Sequence, residues 1–375
     1  MATKGRITVL DAPGADFVIC EHELPEPEAG TALMRIEMCG ICGTDAHYWA
    51  GHKPTIDLVF PGVMGHEIVG PIIALGEGFD RDALGKPLAV GDRIVPAPLV
   101  TCGTCFFCTI ANEPVKCLNG KAYGHLGDGL PYHHGGYAEY LYVFLPGTLV
   151  FKTDLPPEVG VLLEPMSIGV NAVDKVGIYP GEVVVVQGVG PIGLLTVSCA
   201  KLSGASKVIA VDSQEARLDM AKKLGADVTI NLNDVPKAED RIGIVYEEST
   251  AGHGADVVFE AAGVPQAVPE GIDMLRYGGR FCEMGHFADS GTVQINPSTH
   301  LCAKCITLVG AWSSTPDTFA RSLNLLERMD FPYGELVTHR LPLERTTEGF
   351  QALAGSKIID GQEVIKIVVA PWEGR

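Results

Sequence analysis

Glu182-Val183-Val184-Val185-Val186-Gln187-Gly188-Val189-Gly190-Pro191-Ile192-Gly193 decides the fold. Residues 182–187 read as one continuous apolar strand. The glycine-rich turn after it opens a helix-like stretch that runs to about Leu202. Val208–Val211 is the next strand and Gln214–Leu224 the next helix. Asp256–Glu260 and Arg280–Met284 are further strands. Strands alternating with helices predict a parallel, doubly wound α/β sheet.

The glycines in that turn have separate tasks. Gly188 makes the tight turn, Gly190 lets the backbone approach a pyrophosphate, and Gly193 lets helix and strand pack closely. Pro191 and Ile192 open the helix, whose free N–H groups and positive dipole end face phosphates. Asp212 stands at the end of the following strand, about 20 residues on, where a carboxylate accepts hydrogen bonds from a ribose 2′-OH. It would repel a 2′-phosphate, and no arginine follows it directly. The expected cofactor is therefore NAD rather than NADP.

The first half has a different texture. Short β-like runs such as Ala32–Met38 and Ile68–Leu75 are punctuated by Pro61-Gly62 and Gly91-Asp92, as in an irregular, mostly antiparallel domain. The alternation of strands and helices begins near residue 165 and stops near residue 313. The remaining helix (about Pro316–Met329) and strand (Glu363–Val369) cannot bury a core alone. The reading is a domain of residues 1–165 completed by 314–375, and a nucleotide domain of 166–313. Asn119–Gly136 is the longest irregular segment; two roles stay open for it, shaping a substrate entrance with His133 and His134 near it, or plain surface, and surface is slightly favoured.

Composition narrows the function. The chain has 375 residues, enough for two domains of about 100–200 residues each, and 46% are apolar, ample for sizeable cores. A formal net charge of -18 disfavours nucleic-acid partners. No apolar run reaches the length of a membrane span, and no secretory signal is visible. A cytoplasmic protein is expected.

Eleven cysteines without an export signal argue for metal binding or plain burial over disulfides. Cys102-x2-Cys105-x2-Cys108-x8-Cys117 offers four thiolates, which fill zinc's tetrahedral shell and leave no open position, so this zinc is structural. Gly103 and Pro114 suit the tight turns of such a knuckle. Cys302-x2-Cys305 has no second pair nearby and reads as buried structural thiols.

Gly40-Ile41-Cys42-Gly43-Thr44-Asp45-Ala46-His47 gathers a thiol, a hydroxyl, a carboxylate and an imidazole. Gly65-His66-Glu67 follows about twenty residues later, and Glu164-Pro165 stands where the nucleotide domain begins. One thiolate, one imidazole and one carboxylate would bind zinc with a fourth position open for substrate.

These motifs, with the four-cysteine lobe and the Gly188 loop, resemble the zinc-dependent medium-chain dehydrogenases in order and rough spacing. Cys42-Gly43-Thr44-Asp45-Ala46-His47-Tyr48-Trp49 is most similar to the polyol and sorbitol dehydrogenase branch. Glu164 stands where other alcohol dehydrogenases place a further zinc cysteine. The last spacing of the cysteine lobe, x8, is one residue longer than the family pattern.

The resemblance implies a Rossmann domain beside a GroES-like catalytic domain, with a catalytic and a structural zinc in each subunit of a homodimer or homotetramer. It implies that Cys42, His66 and Glu164 bind the catalytic zinc, with Glu67 binding directly or through water. Asp45 would orient His66. Thr44 would take the proton of the substrate hydroxyl and pass it through the cofactor ribose to His47. Arg217 would face the adenosine ribose, and Gly310, Ala311 and Trp312 the nicotinamide end. The implied reaction is reversible hydride transfer between a secondary alcohol, polyol-like or cyclic, and NAD. Two other readings stay open: the same scaffold acting on an amino-alcohol, threonine or a phosphonate-linked alcohol, and a zinc- and NAD-binding protein without turnover.

Overall fold

The computed structural model describes residues 3–52, 59–126 and 133–374. They form two compact units. One contains the described residues up to Glu164, with Thr315–Arg328 and those from Tyr333 onward. The other is Pro165–Ser314 with Met329–Pro332.

The second unit is built on six strands: β1 (Val183–Gln187), β2 (Lys207–Asp212), β3 (Val228–Asn231), β4 (Ala255–Glu260), β5 (Leu275–Glu283) and β6 (Thr307–Gly310). Their order is β3-β2-β1-β4-β5-β6, and every pairing is parallel. This is the doubly wound dinucleotide-binding order, in which ligands bind beyond the carboxyl ends of the strands. All of β1 is buried, as a central strand covered on both faces must be. Val185, Ile209, Val258 and Phe281 fill the sheet's core with Ile272 of the helix Ala267–Met274. Two strands carry no clear sequence signal. β3 is short and half-buried, and β6 is a mostly exposed edge, so neither needs the apolar run that marks β1.

The first unit holds an eight-stranded sheet whose main path runs Val150–Lys152, Arg93–Pro96, Glu67–Leu75, Met38–Gly40, Lys366–Val369, Val337–Leu341. The run 32–38 divides into Ala32–Arg35 and Met38–Gly40. Ala32–Arg35 pairs with Tyr140–Val143 and with Glu67–Leu75. The chain turns where Gly70 meets it, since a Cβ there would sit 1.9 Å from the Arg35 carbonyl oxygen. Tyr137, Phe350, Met34 and Ile36 anchor this unit's core. Among the described residues no helix is long and apolar enough to cross a membrane.

The Gly188 turn is tightly built. Gly188 has φ +79°, and a Cβ on Gly193 would lie 1.9 Å from the Gly188 carbonyl oxygen. The obstacle is backbone, which cannot rotate aside. Gly193→Ala should destabilise the second unit by about 1–3 kcal/mol through overpacking, measured by denaturant unfolding. An unchanged midpoint would refute this account of the turn.

Candidate active site and metal centres

Three adjacent strands bring the central charges together. Gly40 lies opposite Glu67 in one ladder and Val368 in the other, so Glu67 and Lys366 flank the same strand end. Lys366 Nζ donates to Glu67 Oε1 at 2.7 Å and to the Ile41 carbonyl at 3.1 Å. Glu67 Oε2 closes the ion pair on the same ammonium. Both side chains are almost fully buried, at 2% and 1% exposure. Burial alone would lower the lysine's pKa, but Glu67 and Cys42 outweigh it and raise it. Gly40 supplies the space, because a Cβ there would fall 1.9 Å from Glu67 Oε2.

Cys42, His66 and Glu67 each place a ligand atom within 4.8 Å of the other two. Thiolate, imidazole and carboxylate form a donor set that suits zinc. Cys42 precedes the helix Gly43–Trp49, and Asp45 in its first turn accepts a hydrogen bond from the Cys42 N–H at 3.2 Å. Asp45 Oδ1 lies 3.6 Å from His66 Nδ1, an ion-pair distance longer than a hydrogen bond, on the side from which a carboxylate would orient a ligating histidine. Burial would lower the His66 pKa. Asp45 and Cys42 overcome this and hold it well above the usual imidazole range. Asp45 is buried, yet His66 and His125 hold its carboxyl well below the usual range.

Two further groups brace Asp45. Tyr137 Oη donates to Asp45 Oδ2 at 2.6 Å from a fully buried position. His125 approaches Asp45 Oδ1 at 3.8 Å, and its ring centroid lies 4.9 Å from that of His66. Neither residue stands out in the sequence, because both lie about 80 or more positions from Asp45 and outside any recognisable motif.

Glu164, in the first turn of the helix Leu163–Val176, lies outside the Cys42–His66–Glu67 triplet but within electrostatic reach. Burial pushes its carboxyl up to about 7, against the pull of His66. The Thr44 hydroxyl sits 3.6 Å from Cys42 Sγ, so hydroxyl and thiol share one spot. His47 lies on the same helix, half-buried. Its Nδ1 is 2.9 Å from Nδ1 of His52.

The four-cysteine lobe is the second candidate centre. Cys102, Cys105, Cys108 and Cys117 bring their sulfurs within 4.8 Å of one another, and none forms a disulfide. Gly103 has φ +67°, and Pro114 opens the 3-10 turn Pro114–Lys116, which returns the chain to Cys117. The Thr104 backbone N–H holds the Cys102 thiol down at about 5. Four converging sulfurs suit a closed zinc site.

At the carboxyl edge of the second unit, Asp212 is firmly held. Its Oδ2 accepts from the Val189 N–H at 2.8 Å, and its Oδ1 from Ser213 and Gln214 at 2.7 and 3.0 Å. Asp212 thus ties the glycine turn to β2. Arg217 Nη1 comes to 3.9 Å from Asp212 and to 3.8 Å from where a Gly190 Cβ would be. Gly190 caps the helix Pro191–Leu202 with no backbone crowding its face, as close approach to a pyrophosphate requires. Gly310 ends β6. The Ala311 N–H bonds the Glu283 carbonyl at 2.9 Å, and Asn171 Nδ2 fixes the Ser313 carbonyl at 2.8 Å, with Trp312 between them.

The sequence reading misses an acidic group on this edge. Glu260 ends β4 and Glu283 ends β5. His286 Nδ1 lies 2.9 Å from Glu283 and 3.3 Å from Glu260. Burial, aided by Glu283, pushes the Glu260 carboxyl up to about 8. Carboxylates closing two neighbouring buried strands were the available signal.

Two expectations are corrected. Cys302 and Cys305 are exposed rather than buried, because they lead into the exposed edge strand β6. His133 and His134 are buried rather than on the surface. The His134 carbonyl accepts from Gly124, and the His133 carbonyl from Tyr142, which draws this end of the segment into the core. Positions 127–132 of that segment lie outside the described residues.

Comparison with known proteins agrees with this geometry. Residues 28–154 match the alcohol dehydrogenase GroES-like domain, and residues 191–328 match the zinc-binding dehydrogenase domain. The 5-exo-hydroxycamphor dehydrogenase of Pseudomonas putida is 33% identical over 345 residues, covering 89% of this chain and 91% of that protein. The erythritol/L-threitol dehydrogenase of Mycolicibacterium smegmatis is 32% identical, covering 95% of each. A Sinorhizobium meliloti 1021 chain of the zinc-binding dehydrogenase type, solved bound to NADP, superposes with a TM-score of 0.84 at 29% identity, covering 99% of this chain and 100% of that one.

The buried Glu67–Lys366 pair sets a test of the site's electrostatics. Lys366→Met leaves an uncompensated buried carboxylate and should cost about 3–5 kcal/mol in chelator-treated protein. Adding Glu67→Gln should restore most of that loss in a double-mutant cycle followed by chemical denaturation. Additive losses would mean that the two charges act independently.

Proposed function

The chain belongs to the zinc-dependent medium-chain alcohol dehydrogenases, and from that premise we propose that it oxidises a secondary alcohol, polyol-like or cyclic, with NAD. The observation that carries this reading is the convergence of Cys42, His66 and Glu67, with the Thr44 hydroxyl beside the Cys42 sulfur.

Cys42, His66 and Glu164 would hold the catalytic zinc and leave a fourth position for substrate, with Glu67 binding directly or through water and displaced when substrate is bound. The four-cysteine lobe would hold a second, structural zinc. When bound, zinc supplies a Lewis acid that lowers the alcohol's pKa, and the nicotinamide supplies the hydride acceptor. The rest falls to the chain. Asp45, braced by Tyr137, keeps the His66 ring in one orientation. Lys366 offsets the charge of one carboxylate, so thiolate and two carboxylates do not present three uncompensated negative charges. Thr44 accepts the proton of the substrate hydroxyl, and His47 carries it onward. The Gly188 loop and Arg217 bind the cofactor's phosphates and adenosine end.

Asp212 argues for NAD over NADP, since a ribose 2′-phosphate would meet a fixed carboxylate. Ser213, not an arginine, follows it. The eleven unpaired cysteines suit a reducing, cytoplasmic setting. A homodimer or homotetramer is the expected assembly.

Cofactor reduction should appear with sorbitol, erythritol or cyclohexanol, and ethanol should be the poorest substrate. Metal analysis should give two zinc ions per subunit. Cys42→Ser should lose one zinc and turnover, and Cys105→Ser should lose the other zinc and thermal stability. No oxidation of any alcohol by protein carrying both zinc and NAD would replace this reading with that of a binding protein. NAD should outperform NADP at least ~10-fold in kcat/KM, the effect of about 1.4 kcal/mol. Equal use of the two would remove Asp212 from its selective role.

A further inference from the structure

The helix Gly43–Trp49 ends in a way that joins two imidazoles. Gly51 has φ +79°, the left-handed conformation that a glycine after a helix adopts readily. Its N–H bonds the Tyr48 carbonyl at 3.0 Å, and the His52 N–H reaches back to the His47 carbonyl at 3.0 Å. These are the two hydrogen bonds of a Schellman cap, which brings the side chains of the residues bonded in its outer turn into contact. That contact is usually apolar. Here both residues are histidines, with Nδ1 to Nδ1 at 2.9 Å and ring centroids 5.0 Å apart.

Two nitrogens at that distance hold one hydrogen between them. Two lone pairs would repel, and two N–H groups would collide. One ring donates from Nδ1 while the other accepts at Nδ1. His47 is half-buried and His52 exposed, so the shared hydrogen lies on a line from interior to solvent. The position favours cations as well, because a helix C-terminus stabilises an imidazolium.

We propose that His52 is the outlet of the proton path, accepting at Nδ1 the proton that His47 releases from its own Nδ1. The proposal rests on the Thr44–His47 reading above. The step balances without a co-reactant. His47 gains a proton at Nε2 and gives its Nδ1 proton to His52 Nδ1. His52 then loses its Nε2 proton to water, which leaves both rings neutral with the shared hydrogen on His52; exchange of ring protons with water, with no net change in proton number, restores the starting tautomers before the next turnover. His52 touches neither substrate nor cofactor in this scheme. It is a positioning residue that acts through His47, setting that ring's tautomer and receiving its proton. Burial, with the charge of His52 when protonated, holds the His47 imidazole below its usual range, which keeps it neutral and ready to accept.

Two readouts test this. The first is ring ¹⁵N NMR of histidine-labelled protein at neutral pH. Wild type should show a shared Nδ1 proton between two rings, and His52→Ala should change the tautomer balance of His47. The second is stopped-flow proton release, followed with a pH indicator in weak buffer, using the zinc-loaded enzyme, NAD and the most active alcohol among sorbitol, erythritol and cyclohexanol. His52→Ala should slow release and kcat by about 3–10-fold, less than His47→Ala and below the range of a direct general base. KM and zinc content should not change. Added imidazole should restore the rate, which a merely structural role would not permit.

Normal release in His52→Ala with slow release in His47→Ala would overturn the proposal and leave the His47 relay standing. Normal release in both variants would overturn the relay and the proposal together, as would absence of oxidation with all three alcohols. A loss in His52→Ala that imidazole does not restore would also overturn the proposal.

Discussion

The first unit's chemistry depends on one buried cation. Lys366 enters the sheet from the last strand of the chain and meets Glu67 across Gly40, where water cannot solvate either charge. A lone carboxylate at that depth would take up a proton, since burying an isolated ion costs far more than neutralising it. The Lys366 ammonium gives Glu67 a partner of opposite charge at 2.7 Å. Glu164 shows the alternative, because burial pushes it toward neutrality. Four acidic groups, Cys42, Asp45, Glu67 and Glu164, gather around His66, with the His125 ring beside it. Lys366 is what lets so much negative charge collect there before any metal arrives.

The fold was legible wherever burial is uniform. Four consecutive valines, Val183–Val186, mark β1, and the glycines after them mark the turn. The edges were less legible. β3 and β6 each have one partner and one open side, so their residues are mixed in character and resemble loop. Cys302 and Cys305 were misplaced for the same reason. A thiol beside an exposed edge has no core to enter, and the sequence does not say which strand lies at the edge.

Within the site, legibility followed distance along the chain. Cys42, Thr44, Asp45 and His47 share one short helix and its cap, so their spacing alone suggests a common task. Lys366 lies 299 residues from Glu67, and nothing local announces the pairing. Its signal is an incongruity: a lysine inside the apolar run Val364–Val369. A charge in a buried strand needs a partner, and a search for an acid also set in a buried strand leads to Glu67. Tyr137 and His125 gave no such signal, because an aromatic ring in a core is ordinary.

The two candidate metal centres solve opposite problems. Four thiolates at Cys102–Cys117 would leave no position for another ligand on a metal, and the lobe has short elements and little core: its helix Phe106–Thr109 has no buried residue. A closed metal shell would do there what hydrophobic packing does elsewhere. The Cys42 site lies instead among paired sheet strands, beside the buried Glu67–Lys366 ion pair and an Asp45 in contact with Tyr137, His66 and His125. The proposed catalytic site can leave a ligand position open because the sheet, rather than the ion, holds its residues in place. In the proposed site, a Glu164 carboxylate in place of a further sulfur would fit the same division. Oxygen donors make a harder, less electron-rich centre than thiolates, and such a centre suits a hydroxyl-rich substrate that itself offers oxygen.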